Sequence, residues 1–148
     1  MADTAKSLYD TDFAEWSART AALIRSGRFQ EIDAENVAEE IESLGKAEHS
    51  AVRSQMLRLL LHQIKRRIQP EKETASWRRS ILDSQDKLQA AIEDSPSLTG
   101  FLHVNLERIY QKAVYNAHVE TKVEASVPER CPFTVGQLLQ DFDLQWPD

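Results

Sequence analysis

Apolar residues recur at three- and four-residue spacing along nearly the whole chain, the spacing that collects side chains on one face of an α-helix. Over residues 12–26 the set is Phe13, Trp16, Thr20, Leu23 and Ile24. Asp10 or Thr11 is expected to cap its start, and Gly27 to close it in a left-handed conformation. Residues 28–32 read as a short connection. Asp33 predicts the N-cap of a much longer helix over 33–69, because its carboxylate can accept from the free N–H groups of a first turn. Val37, Ile41, Leu44, Val52, Met56 and Leu59 trace one stripe along it, and Leu57, Leu60, Leu61, Ile64 and Ile68 widen that stripe on the far half. Gly45 costs about 1 kcal/mol relative to Ala there and is expected to mark a bend or a close neighbour. Pro70 ends the run, since it disfavours helical geometry at Gln69 and has no N–H.

Trp77, Ile81, Leu88 and Ile92 predict a third helix over 73–93, antiparallel to the second across the Pro70 turn. Ser95 then reads as an N-cap with Pro96 at the first helical position. Leu98, Leu102, Leu106, Ile109, Ala113 and Ala117 line a fourth helix to about residue 124. The stretch 128–132 cannot continue a helix, and 133–142 supplies a short one that packs Leu138, Leu139 and Phe142 onto the rest. The fold class is therefore all-α: an up-and-down helical bundle with one long central helix and a short C-terminal helix or tail. It is expected to be a single domain over 1–148, loose at 1–9 and with 128–148 as a docked tail.

Composition narrows the setting. The 148 residues are 41% apolar and 28% charged, with mean hydropathy -0.50, as expected of a globular chain rather than a membrane or disordered one. Lys and Arg number 18 against 24 Asp and Glu, a net charge of -6 that argues against a general binder of phosphate backbones. Cys131 stands alone and cannot form an intrachain disulfide, which fits a reducing compartment. Residues 1–9 contain Asp3 and Lys6 and lack the apolar core of a secretory signal, so a cytoplasmic location without membrane association is expected.

Tyr9, Asp12, Phe13, Trp16, Gly27, Asp33, Asn36, Glu39-Glu40-Ile41 and Leu44-Gly45 form a recognisable string. It continues through His62, Lys65, Gln69-Pro70, Ser76-Trp77, Ser95-Pro96-Ser97-Leu98 and Tyr110. On these residues the chain resembles the bacterial family catalogued as domain of unknown function twenty-nine, over nearly its whole length. The resemblance implies a small, mostly helical, single-domain bacterial protein with no assigned activity, cofactor or catalytic residue. Where that family often carries an aromatic pair just before Gln69-Pro70, this chain has Arg66, Arg67 and Ile68.

The strong chemical signatures are missing. Gly27, Gly45, Gly100 and Gly136 are too dispersed for a phosphate-cradling loop. No Glu-x-x-His pair suggests a di-iron site, and His49, His62, His103 and His118 lack the spacing of two zinc ligands on one helical face. No cofactor or metal is expected. Cys131, between Arg130 and Pro132, reads as a small packed residue rather than a nucleophile.

Weaker possibilities remain. Ile41, Glu48, Gln55, His62 and Gln69 recur every seven residues, so polar groups run along or beside the apolar stripe. Facing inward, they would need partners, for which Tyr110, Tyr115, His118 and Arg78 are available. The catalytic version of that pocket uses His62 as acid or base, Glu40 or Glu48 to orient it, and Tyr110 nearby. The simpler version is a polar network that fixes helix register, and no catalytic residue is assigned. Charge is also divided: residues 31–48 hold seven acids and one base, residues 51–79 eight bases and two acids. This ordering complements the helix dipole. It would also let two such helices pair antiparallel in a homodimer, and it leaves Lys65, Arg66, Arg67, Arg78 and Arg79 as an interaction patch at the Pro70 corner. Nucleic acid is disfavoured as the ligand of that patch by the overall acidity. The expected function is a non-enzymatic interaction module that binds another protein or itself, with an enzyme or small-ligand protein built on His62 and Glu40 or Glu48 as the alternative.

Overall fold

The protein, analysed as a computed structural model, is described over residues 7–124 and 126–148. Among these residues the structure is helical and contains no strand, and the chain packs as two compact units, one ending at Lys46 and one over Ala47–Asp148. Most of the stretch expected to be loose, 1–6, lies outside the described residues, whereas Leu8 and Tyr9 are helical.

The first unit holds α1 (Leu8–Thr11), α2 (Phe13–Arg25), a 3₁₀ turn at Phe29–Glu31 and the start of α3 (Ala34–Ile68). The cap of α2 is Asp12, whose side chain accepts from the Glu15 N–H at 3.1 Å, not Asp10 or Thr11. Those two are occupied one turn earlier: Asp10 accepts from the Ser7 hydroxyl and Thr11 donates to the Ser7 carbonyl. Gly27 takes φ +75°, the left-handed closure expected of it. Asp33 caps α3 as expected, accepting from the N–H of Asn36 at 3.3 Å and from its side-chain amide at 2.6 Å. The helix then runs unbroken through Gly45, with open space where a Cβ would point.

Burial within this unit departs from the apolar stripe. Thr20 is its one buried residue among those described, and Ile41 and Leu44, expected to face a core, are 63% and 70% exposed. What order there is comes from rings and polar contacts at the N-terminus. Tyr9 packs edge-on to Trp16 at 4.7 Å and to Phe13 at 5.9 Å.

The second unit is built on the far half of α3, α4 (Ala75–Asp94), α5 (Leu98–Thr121) and α6 (Val135–Gln140). Side-chain partners fix the directions. From Gln55 to Arg58 to Arg66 along α3, the partners on α4 and the turn before it are Ser84, Asp83 and Glu73, a descending order that makes the two helices antiparallel. His49 and Lys65 meet Phe101 and Glu120, an ascending order, so α3 and α5 run parallel. Up, down, up is the expected bundle topology.

Its core joins Val52, Met56, Leu59, Leu60 and Ile64 of α3 to Leu88 of α4 and to all six seam residues of α5. Pro96 and Ser97 precede α5 as a turn rather than as its first residues, and Ser95 is the C-cap of α4 instead of an N-cap. At the far end α5 stops at Thr121, where Lys122 adopts φ 58° and its N–H returns to the His118 carbonyl.

The tail docks through α6, which Thr134 and Gln137 start with a reciprocal capping box. Val135, Leu138 and Leu139 are buried, and Phe133 packs edge-on to Trp146 at 4.8 Å. The carbonyls that α6 leaves behind find donors on the bundle. Gln85 donates to those of Leu138 and Asp141 at 3.0 and 3.1 Å, Gln89 to Leu139 at 2.6 Å, and Gln63 to Phe142 at 2.8 Å. A buried carbonyl stripped of its donor costs about 1–3 kcal/mol. Replacing Gln85 with Leu is therefore expected to lower unfolding stability by about that amount in urea denaturation. An unchanged midpoint would mean the tail is not held there.

Candidate functional site

The polar residues singled out along α3 do not share one pocket, because each is satisfied locally. Glu48 is exposed and accepts from the Ser95 hydroxyl at 3.2 Å. Gln55 accepts from the hydroxyl of buried Ser84 at 3.1 Å. His62 is half-buried, and its Nδ1 lies 2.8 Å from the Arg58 carbonyl. A carbonyl can only accept, so the neutral ring carries its proton on Nδ1 and leaves Nε2 as an acceptor. Glu40 belongs to the first unit, where it takes a short hydrogen bond from the Tyr9 hydroxyl. That bond, more than the burial and nearby carboxylates that add to it, pushes the Tyr9 phenol up to about 12.

Tyr110 is fully buried and its hydroxyl donates to the Pro128 carbonyl at 2.5 Å. Burial, with the neighbouring Cys131 and Glu107, pushes its pKa up to about 12, so the phenol stays protonated and ties the chain after α5 to the helix. Tyr115, expected as an interior partner, is 69% exposed. Cys131 behaves as the packed residue expected from its sequence position. Its Sγ lies 3.5 Å from the Phe133 carbonyl, and burial pushes the thiol up to about 11, leaving little thiolate at neutral pH.

The basic corner divides in two. Arg66 is a structural hub: it donates to Glu73 at 2.6 Å, Gln63 at 3.1 Å, the Phe142 carbonyl at 3.0 Å and Asp143 at 2.9 Å, and it lies over the Phe142 ring. Lys65 pairs with Glu120 at 3.2 Å and sits over Trp77. Arg67, Arg78 and Arg79 are exposed, with the Arg78 guanidinium also over the Phe142 ring at 5.2 Å from its centroid. Much of the positive charge late in α3 thus serves the bundle, because Arg58 too is engaged, with Asp83 at 2.9 Å and Ser80 at 3.2 Å.

Sequence reasoning missed Arg53, Arg108 and Lys112, which line an open groove between α3 and α5. The signal was there to read: Arg53 stands four residues from Leu57, and Arg108 and Lys112 stand four residues apart on α5 beside Ile109, so each lies on the flank of its helix next to the apolar stripe. Among the described residues no group of three or more His, Cys, Asp or Glu side chains could hold a metal ion. Nor is any helix among them long and apolar enough to cross a membrane.

His62 makes a pH-dependent contribution whose sign follows from its surroundings. Burial lowers its pKa, aided by the charges of Lys65 and Arg58 and opposed by the Arg58 carbonyl and Glu120. The folded state thus prefers the neutral ring. Its contribution is complete above the ordinary value of about 6.5 and is lost as pH falls through that value toward the lower folded pKa. The His62→Asn variant keeps a donor for the Arg58 carbonyl and should lose less stability than the parent between about pH 7.5 and pH 5.5. Equal losses in urea midpoint would show that His62 does not report on folding.

No curated protein and no solved structure matches the chain, so these comparisons transfer no activity to it. The family model described as domain of unknown function DUF29 matches residues 8–143. That span takes in α1 through α6, and with it the ring cluster at Tyr9, the Gln69-Pro70 corner and the docked tail. The chain belongs to the DUF29 family, a family of unknown function.

Proposed function

We propose that this protein is a non-enzymatic interaction module whose first unit docks on another protein, a second copy of the chain being the first partner to test. The observation that carries this reading is the exposure of large apolar side chains there: Phe13 49%, Ile24 40%, Phe29 63%, Ile41 63% and Leu44 70%. Single exposed apolar residues need no explanation. Ile41 and Leu44, however, form a pair one turn apart on α3, and Phe13 belongs to a ring cluster, in contact with Tyr9 and with Trp16 at 5.6 Å. Grouped apolar exposure on an otherwise charged surface is the mark of an interface that is filled in use. The same segment of α3 is acidic, with Glu35, Glu39 and Glu42 exposed on the flank away from that apolar pair, and its charge favours a partner of positive sign through long-range attraction.

The test compares the parent chain with Ile41→Ser/Leu44→Ser, by light scattering over a wide concentration range and by affinity capture from the native cell. Each fully buried side chain of this size contributes about 1.5–3 kcal/mol, so losing two should weaken association at least roughly a hundredfold. The expected result is a dimer or a captured protein that the parent retains and the double variant does not. A strict monomer whose captured proteins are the same for both chains overturns the reading.

A further inference from the structure

We propose that the groove between α3 and α5 is a binding site for a small phosphorylated molecule with an apolar body. The groove lies wholly within the second unit, is open to solvent along one side and offers about 530 Å³, a volume within the ordinary range for small-ligand sites. One wall is the stripe of α3 that carries Arg53 and Leu57, and the facing wall is the stripe of α5 that carries Arg108, Ile109 and Lys112. On each helix these residues recur at three- and four-residue spacing, so both stripes look into the same channel.

Its charge is one-sided. The lining contains three cations and no carboxylate, in a chain whose net charge is -6. Arg58, Lys65, Arg66 and Lys87 of this unit all have acidic partners, but among the described residues Arg53, Arg108 and Lys112 have none. Arg108 and Lys112 are one helical turn apart, where like charges repel, and nothing in the groove offsets that repulsion. Bound anion would.

The remaining lining selects the kind of anion. The Arg53 guanidinium carbon lies 5.4 Å from the centroid of the Phe101 ring, on which His49 also stacks at 4.2 Å. Two guanidinium forks and an ammonium suit the several oxygens of a phosphate better than a single carboxylate. Ser50 and Ser54 add hydroxyls that make no other hydrogen bond among the described residues. Leu57 and Ile109, both part of or packed against the core, give the groove an apolar floor that inorganic phosphate would leave uncovered. The lined stretch is only about two helical turns long, roughly 10 Å, which suits a small ester rather than a polymer.

Isothermal titration at low ionic strength with phenyl phosphate and with inorganic phosphate tests the assignment. Phenyl phosphate should bind at one site per chain and several-fold more tightly than inorganic phosphate. Arg53→Gln and Arg108→Gln should each weaken it at least tenfold with the helical circular-dichroism signal and melting temperature preserved, while Arg25→Gln, in α2, should leave it unchanged. No saturable binding by the folded parent chain overturns the proposal, as does equal weakening by all three substitutions. Arg108-dependent retention of a duplex oligonucleotide without phenyl phosphate binding would assign the groove to nucleic acid and overturn it as well.

Discussion

Burial along α3 begins at Val52. The helix has 35 residues, yet its buried positions, Val52, Met56, Leu59, Leu60, Gln63 and Ile64, all lie in the second half. Hydrophobic burial is the main force that holds a helix in a folded chain, since isolated helices are marginal in water. The far half of α3 is thus anchored by a core, whereas its N-terminal half rests on the Asp33 cap, favourable carboxylates near a helix N-terminus and the contacts of the first unit. The first unit has apolar side chains to offer, and the second has a packed interior that keeps its own polar groups occupied.

Polar residues inside the second unit are structural in this sense. Ser84 reaches Gln55, and Gln85 and Gln63 reach the chain around α6. Among the described residues no buried side-chain nitrogen or oxygen lacks a partner. A satisfied network of this kind gives register and rigidity rather than reactivity. Arg66 extends it outward, joining Glu73 before α4 to Phe142 and Asp143 beyond α6, so one side chain closes the corner of the bundle. The three groove cations differ from Arg58, Lys65 and Arg66 in that no neighbouring element brings a carboxylate to them among the described residues.

The helices were legible because their signals are local. The seam from Leu98 to Ala117 is buried throughout, Pro70 ends α3 at Ile68, and Gly27 closes α2. Choices among adjacent residues were not legible to the same degree: Asp10, Thr11 and Asp12 can all cap, and only the turn formed at Ser7 leaves Asp12 for α2. Spacing also cannot say whether a stripe is covered. Ile41 and Leu44 continue the apolar line that leads to Val52, but covering them requires another element laid on top. The candidate site suffered for the same reason. Arg66 read as surface charge because its tail partners lie 76 and 77 residues away, and Arg108 and Lys112 gained significance only once α5 was known to run parallel beside α3.

Amide hydrogen exchange along α3 in the dilute, isolated chain tests this division most directly. Two tiers of protection are expected: amides from Val52 to Ile68 should exchange only through global unfolding, and those from Val37 to Lys46 through much smaller local openings. Uniform protection across the whole of α3, at the level of global stability, would contradict the account.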